Sequence, residues 1–298
     1  LGIATASTFG AINTANAVDL AADDIFADGI SQATGSITDP SGDMDIDLKG
    51  FALTYTAIDD VSAGVITDTG ANDGTDASLI ISNTNGVGAS THTIETIIVD
   101  GSVSVTAING EDDVTINIDV VAANDVGGAL NLTNNDDTAN KHILVDVAGS
   151  LTVDGVTTLT AANGAASGAS NTTLIVDGAA TFTGGIVLND DTGKSIVEFE
   201  QANAVAIAGD IAGGTAGHGT LQVTGATKTF SGTIGATSLL QVDVDALAIF
   251  SGAVSATTIN VDADATITGV ITGVVVVDTA GSDLTIGNNV VGAVSTSA

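Results

Sequence analysis

The chain has 298 residues, with no Arg and 4 Lys against 36 Asp and Glu, which gives a formal net charge of −32. Such a chain repels nucleic-acid phosphate and anionic lipid, so we exclude nucleic acid as a partner. A hydrophobic fraction of 44% and a mean hydropathy of +0.44 allow a buried core and argue against disorder. No apolar run of about 18 residues is present, so we expect no membrane-spanning helix.

The residue types point to an all-β fold. Val, Ile and Thr favour pleated strands, and a single Pro leaves the strands uninterrupted. The 37 Gly can supply tight corners between strands. Cys is absent, so disulfides play no part in stability.

Residues 1–30 differ from the rest and predict a short cap or an assembly arm. Apolar residues recur there at helical spacing, with Ser7 and Thr8 as caps and Gly29 as a stop: Ala11, Ala15, Val18, Ala22, Ile25 and Phe26. A helix covering the end of a β-stack, an extended arm entering a neighbouring subunit and a frayed terminus all fit this pattern. The start at Leu1, with no basic segment, predicts a processed product whose export signal has been removed.

From residue 45 onward, apolar strands alternate with Gly, Asn and Asp turns. The predicted strands include Asp45–Leu48, Leu79–Ser82, Ile94–Val99, Val103–Ile108, Val114–Val121, Leu130–Thr133, Ile143–Val147, Leu151–Val153 and Leu174–Val176. No Pro-rich or Ser-rich linker divides the sequence, so residues 31–298 are predicted to form one elongated domain.

One phrase recurs in the second half: an apolar residue, a small residue, Gly, any residue, an apolar residue. Its copies start at Phe182, Ile207, Phe230, Phe250 and Ile267, which are 25, 23, 20 and 17 residues apart. A constant phrase at unequal spacing is typical of stacked coils, because strand positions superpose while loops vary in length.

A second phrase, Val-Asp-Gly, begins at Val99, Val153 and Val176. We interpret one coil as a strand, an Asp-Gly corner, a second strand and a Gly corner. Hairpins also use Asp-Gly turns, but a meander gives no reason for the same phrase to follow in the same order. The sequence therefore predicts a parallel β-helix, that is, a β-solenoid.

These phrases carry a resemblance to a known family. The segments Val-Asp-Gly-Ala-Ala-Thr-Phe-Thr-Gly-Gly-Ile at 176–186 and Ala-Thr-Ile-Thr-Gly-Val-Ile-Thr-Gly at 265–273 are similar to passengers of Gram-negative autotransporters, particularly the rickettsial outer-membrane protein B type. The resemblance covers roughly residues 95–290. It implies export, a right-handed parallel β-helix and a role in coating or adhesion. The pattern also resembles acidic surface-layer proteins, which assemble into lattices and often need calcium.

Alternating acidic residues are the candidate metal ligands. Carboxylates on one strand face repel unless a cation joins them, and Ca²⁺ takes several oxygen ligands. The candidate calcium ligands are Asp43, Asp45, Asp47, Asp243, Asp245, Asp262 and Asp264. The competing interpretation is a solvated acidic face that keeps an abundant protein soluble.

No residue pattern in the sequence favours catalysis. His92, His142 and His218 lack the spacing of a zinc site, and no G-x-S-x-G elbow is present. A polysaccharide-processing enzyme would need paired carboxylates, and Glu198 and Glu200 share a strand face. With no Trp, no Arg and one Tyr to hold a sugar, we interpret that pair as an exposed strand face.

The sequence therefore predicts a non-enzymatic structural protein at the cell surface or outside the cell. Its copies would assemble with themselves into a layer, sheath or filament through edges and flat faces, with cations bridging acidic surfaces. The alternative is a monomeric β-helical adhesin that binds a cell-surface glycan or receptor.

Overall fold

In the computed structural model, the part of the chain before residue 100 is described as strands only. From residue 97 onward most side chains are described as well. The described residues are 24–25, 32–34, 46–47, 52–55, 61–67, 78–83, 90–99, 102–107, 113–118, 121–134, 142–161, 170–190, 194–200, 204–277, 279 and 281–296.

All regular structure in this part of the chain is β-strand. The first fifteen strands are β1 Asp24–Ile25, β2 Gln32–Thr34, β3 Ile46–Asp47, β4 Ala52–Tyr55, β5 Val61–Thr67, β6 Ser78–Asn83, β7 Ser90–Val99, β8 Val103–Ala107, β9 Val114–Ile118, β10 Ala123–Val126, β11 Leu130–Asn134, β12 Ile143–Val147, β13 Ser150–Val153, β14 Thr157–Thr160 and β15 Asn171–Val176. The remaining strands are β16 Ala180–Phe182, β17 Ile186–Asn189, β18 Lys194–Phe199, β19 Val205–Ala208, β20 Ile211–Gly213, β21 Thr220–Val223, β22 Lys228–Phe230, β23 Ile234–Val244, β24 Ala248–Phe250, β25 Val254–Val261, β26 Ala265–Ile267, β27 Ile271–Val277, β28 Leu284–Ile286, β29 Val290–Val291 and β30 Val294–Thr296.

The strands form three parallel ladders, and each full coil adds one segment to each ladder. Ladder I includes β9, β12, β15, β18 and β21. Ladder II includes β10, β13, β16, β19 and β22, and ladder III includes β8, β11, β14, β17 and β20. Every strand pairing among the described residues is parallel, so the predicted β-solenoid is confirmed and a meander of hairpins is excluded.

The coils shorten toward the C-terminal end of the described chain. Register partners in ladder I are 29 residues apart between Ile143 and Thr172, but only 17 apart between Gln241 and Thr258. The loop from ladder III to ladder I disappears there, so β23, β25 and β27 each serve both ladders around one corner. A register shift after Ile234 absorbs that corner.

The side chains of each strand point alternately inward and outward, which places Val, Ile, Leu and Phe inside. There, equivalent residues of successive coils lie over one another. Ladder I shows this most clearly, because its last inward position forms one continuous row of register partners. The row is Ile118, Val147, Val176, Phe199, Val223, Val244 and Val261, all at most 4% exposed. Each such side chain stabilises the stack by roughly 1.5–3 kcal/mol relative to an exposed one.

Phe residues occupy the middle of the core, where four rings follow one another across successive coils. The centroids of Phe182 and Phe199 lie 6.4 Å apart and those of Phe199 and Phe230 lie 5.6 Å apart, both edge to face. Phe230 and Phe250 stack at 4.9 Å with an interplanar angle of 9°. Adjacent rings add about 0.5–1.5 kcal/mol per pair beyond the area they bury.

The Gly of the repeated phrase sits where successive corners touch. A Cβ on Gly232 would overlap the carbonyl group of Gly209, one on Gly252 would overlap that of Gly232, and one on Gly269 would overlap that of Gly252. The phrase therefore contains Gly because no side chain fits between stacked corners.

Three details of the predicted coil were wrong. The coil has three strands rather than two. Val153-Asp154-Gly155 leads from ladder II to ladder III, whereas Val176-Asp177-Gly178 leads from ladder I to ladder II, so the second phrase marks two different corners. In the first phrase copy, Ala180 rather than Phe182 pairs with Ile207; the later copies, from Ile207 onward, stack as predicted.

The predicted cap or arm of residues 1–30 lies outside the described residues except at Asp24–Ile25. Those two residues form β1 and pair with Ile46–Asp47, so the helical prediction is wrong at Ile25. The separate unit of residues 1–30 stays a prediction.

Candidate acidic site

Two corners of adjacent coils bring three carboxylates together. Val244 of β23 and Val261 of β25 are register partners, so Asp245 and Asp262, which follow them, meet at the turn from ladder I to ladder II. Asp243 points outward from β23 one position before Val244. One carboxylate oxygen from each Asp lies within 4.8 Å of the other two.

Polar neighbours hold two of these carboxylates in place. The Asn260 side-chain amide donates hydrogen bonds to Oδ1 of Asp243 at 3.1 Å and to Oδ2 of Asp262 at 2.8 Å. The Thr279 hydroxyl donates to Oδ1 of Asp262 at 2.9 Å. Because these donors are neutral, the negative charges stay uncompensated by them, and the arrangement can take up a proton or a hard cation.

Asp245 shows the effect of this crowding most clearly. Burial raises the pKa of the Asp245 carboxyl above its ordinary value, and the charges of Asp243 and Asp262 raise it further. Both causes disfavour the charged form. The cluster is therefore a place where added positive charge, as a proton or a metal ion, is favoured.

The sequence-predicted ligands are only partly brought together. Asp243, Asp245 and Asp262 cluster on neighbouring coils, although Asp245 and Asp262 lie in corners rather than on a strand face. Asp264 instead accepts a hydrogen bond from the backbone N–H of Asp283 on the next coil at 2.9 Å. Asp43 and Asp45 lie outside the described residues, and of Asp47 only the strand position is described.

The cluster belongs to a longer acidic corner that sequence reasoning missed. We define the acidic corner as Asp146, Asp177, Glu198, Glu200, Asp243, Asp245 and Asp262. Its members interact from coil to coil: the charge of Asp177 raises the pKa of Asp146, and Glu198 contributes to the raised pKa values of both Glu200 and Asp245. Burial is the largest cause for Asp146, Glu200 and Asp245 alike.

Lys228 lies behind this corner with its side chain buried at 0% exposure. Its ammonium group donates to the carbonyl oxygens of Thr224 at 2.9 Å and Ala226 at 2.8 Å. Burial lowers the pKa of Lys228, while Asp177 and Glu200 act in the opposite direction. Side chains alternate between the two faces of a strand, so Lys228 shares the inward face with Phe230 two residues later. This alternation in Lys-Thr-Phe is the sequence signal that could have predicted the buried Lys.

His142 and His218, the histidines whose side chains the structure describes, both have structural partners. The Nδ1 of His142 accepts a hydrogen bond from the backbone N–H of Asn171 at 3.1 Å. The Nδ1 of His218 lies 3.7 Å from Oδ1 of Asp190, which also accepts from the N–H of Gly219 at 2.7 Å. Burial raises the pKa of Asp190, and both contacts oppose that rise. These contacts join loops of successive coils.

A cavity lies inside the stack between the coils that contain Ile97 and Leu151. Its lining is apolar except for Asn124. The Asn124 side chain accepts from the N–H of Ile97 at 3.0 Å and donates to the carbonyl oxygen of Ser150 at 3.2 Å. The cavity therefore presents no carboxylate or nucleophile to a substrate.

No protein-family model matches the chain, and comparisons with curated proteins and with solved structures gave no significant match. The autotransporter and surface-layer resemblances, including the right-handed coil, therefore stay predictions. In the part of the chain that the structure describes, no helix has the length and apolarity to cross a membrane.

The raised pKa of Asp245 predicts a pH effect on stability. A folded-state pKa above the unfolded one means that the folded protein binds the proton more tightly, so this group adds stability as the pH falls from neutral toward the ordinary carboxyl range and loses it as the pH rises. We expect Asp245→Asn to raise the melting temperature near neutral pH and to remove part of the gain seen on acidification. Thermal melts of both proteins across this pH range measure the difference. Parallel pH profiles would contradict the prediction.

Proposed function

We propose that the chain is an extracellular structural protein whose copies assemble into a surface layer, sheath or filament. The observation that carries this proposal is the unbroken parallel stack. Ladder II extends from β1 to β28 through register partners in every coil. At about 4.8 Å per strand, these twelve strands give a stiff stack on the order of 50 Å long.

The interior supports a scaffold rather than a catalyst. Most described core side chains are aliphatic or aromatic, with Lys228 and seven neutral polar residues buried as well, and the cavity is apolar apart from one satisfied amide. The acidic corner lies on the outside, where it offers charge to a neighbour but no enclosed space for a substrate.

Calcium is the cation that we propose to join copies through the acidic corner. A net charge of −32 makes copies repel one another, and the 4 Lys cannot neutralise it. The clustered oxygens of Asp243, Asp245 and Asp262 are ligands of the kind that Ca²⁺ prefers. A cation held there would relieve the crowding that raises the pKa of Asp245.

Chelation tests the calcium part. EDTA should break assemblies of the wild-type chain into small units, and added Ca²⁺ should restore them. Asp262→Asn should weaken the response to Ca²⁺ at least tenfold, because it removes one charge and leaves the amide of Asn260 with an altered partner. Light scattering against Ca²⁺ concentration measures both effects, with Asp264→Asn as the control outside the cluster. Polymers that survive exhaustive chelation would remove calcium from the proposal.

Negative-stain microscopy tests the role itself. Ordered polymers from purified protein support the structural role, and single rods at all concentrations favour the adhesin. A dispersed monomer that releases reducing sugar from a polysaccharide panel would overturn the proposal in favour of an enzyme.

A further inference from the structure

Charge is distributed unevenly over the three outer faces of the solenoid. Ladder I and the turn into ladder II carry the acidic corner, and ladder II carries an exposed Asp125 on β10. The strands β8, β11, β14, β17 and β20 of ladder III contain no charged residue. One face of a strongly acidic chain is therefore neutral over at least five successive coils.

Two outward columns give this neutral face a regular surface. Register pairing aligns Ser104, Asn131 and Thr158 in one column, and Thr106, Thr133 and Thr160 in the next. All six side chains are half-exposed, while the residues between them point into the core. Adjacent coils repeat the columns at about 4.8 Å, so the face is flat and periodic.

The chemistry of these columns is complementary to itself. Ser and Thr hydroxyls and the Asn amide both donate and accept hydrogen bonds, and the Thr methyl groups supply apolar contact. A carboxylate only accepts, so the acidic corner cannot pair with its own copy unless a cation lies between. Ladder II also contains no acidic residue from β13 to β28, but most of its strands there have three residues, and β10 carries Asp125. Ladder III offers two outward columns from β8 to β14, so two copies can meet there without bringing like charges together.

We propose that the outer face of ladder III is where two copies pack face to face; this rests on the proposed self-assembly and names its surface. From β8 to β20 ladder III has five strands over about 19 Å, and a four-residue strand is about 13 Å wide, which gives roughly 250 Å² per copy. Including β2, β4 and β6 brings the face to roughly 440 Å², below the ~800 Å² per partner of a standard interface and in the range of a weak contact that repetition along an assembly can strengthen. The two sheets would pack about 10 Å apart, as in a β-sandwich.

A matched pair of substitutions within one coil tests this surface. Thr158→Glu places a charge on the ladder III face, and Thr152→Glu places the same charge on the half-exposed outer face of ladder II. Sedimentation velocity in EDTA over a range of concentrations separates this contact from calcium bridging. We expect wild type and Thr152→Glu to form dimers, and the dimer dissociation constant of Thr158→Glu to rise at least about tenfold. Circular dichroism melts confirm folding, and Asn131→Glu serves as a second variant on the same face.

Each possible result of this experiment supports or overturns the ladder III contact. Equal dissociation constants for Thr158→Glu, Asn131→Glu and wild type would overturn the ladder III contact and leave self-assembly standing. Assembly that appears only with Ca²⁺, with monomers in EDTA, would do the same. A wild-type chain that stays monomeric with and without Ca²⁺ would overturn both this contact and the proposed function.

Discussion

Gly232→Ala should destabilise the protein by about 3 kcal/mol or more, although it adds a single methyl group. The new Cβ would overlap the backbone carbonyl of Gly209 and crowd the backbone N of Asp210. Both neighbours are main-chain atoms of the corner between β19 and β20, so they cannot rotate away as a side chain would. We expect the two coils to separate locally and the thermal transition to move to lower temperature.

Gly281→Ala is the control for this substitution. Gly281 has a φ of 95°, and no atom lies within 4 Å of the point that a Cβ would occupy, so Ala there meets only the cost of a left-handed conformation, about 1–2 kcal/mol. Melting curves and limited proteolysis should show a larger loss for Gly232→Ala than for Gly281→Ala. If Gly232→Ala melted at the same temperature as wild type, the corners of successive coils would not be in contact.

Phe230→Ala should cost about 3–5 kcal/mol of unfolding free energy. The side chain is 1% exposed, and its ring contacts Phe250 in a stacked pair and Phe199 edge to face. Truncation removes both contacts and leaves a cavity that the parallel ladders on all sides prevent from collapsing. Urea unfolding followed by circular dichroism measures the loss.

Phe230→Leu keeps most of the buried volume and should lose clearly less stability. Thr229→Ala changes the adjacent, half-exposed residue of β22 and should remain near wild type. If Phe230→Ala and Thr229→Ala gave the same urea midpoint, the row of rings would not contribute to the core as described.

Inward rows and stacked glycines were predictable because they follow from spacing alone. Ile207, Phe230, Phe250 and Ile267 lie at equal points of their phrases, and the structure pairs them in sequence. The first copy failed because its phrase lies two residues out of register, with Ala180 under Ile207. A phrase shows that a corner exists, whereas strand pairing depends on contacts with the next coil.

The third strand of each coil was harder to predict from the sequence. Strand β10 reads Ala-Asn-Asp-Val, a composition typical of turns. It forms a strand because Asn124 is buried and its amide bonds to the coils on both sides, through the N–H of Ile97 and the carbonyl of Ser150. Tertiary contacts override local preference here.

The Asp-x-Asp pattern predicted the three clustered carboxylates but not the whole acidic corner. Asp-x-Asp pairs indicated Asp243, Asp245 and Asp262, and strand register decided that Asp264 would bond to the backbone of Asp283 instead. Asp177 was not predicted as part of the site, and Glu200 was paired only with Glu198, because both lie far from the Asp-x-Asp pairs in sequence. They share the electrostatics of one corner only after the coils stack, as the pKa of Glu200 shows.

The shortening of the coils has a consequence for the order of folding. Closing a segment of 17 residues costs less chain entropy than closing one of 29, by about 0.5 kcal/mol per coil. The compact C-terminal coils should therefore form a nucleus first. Each finished coil then offers its open edge as a template for the wider coil before it, up to the 29-residue coils at Ile143; before residue 67 the coils are short again, at 20 to 22 residues.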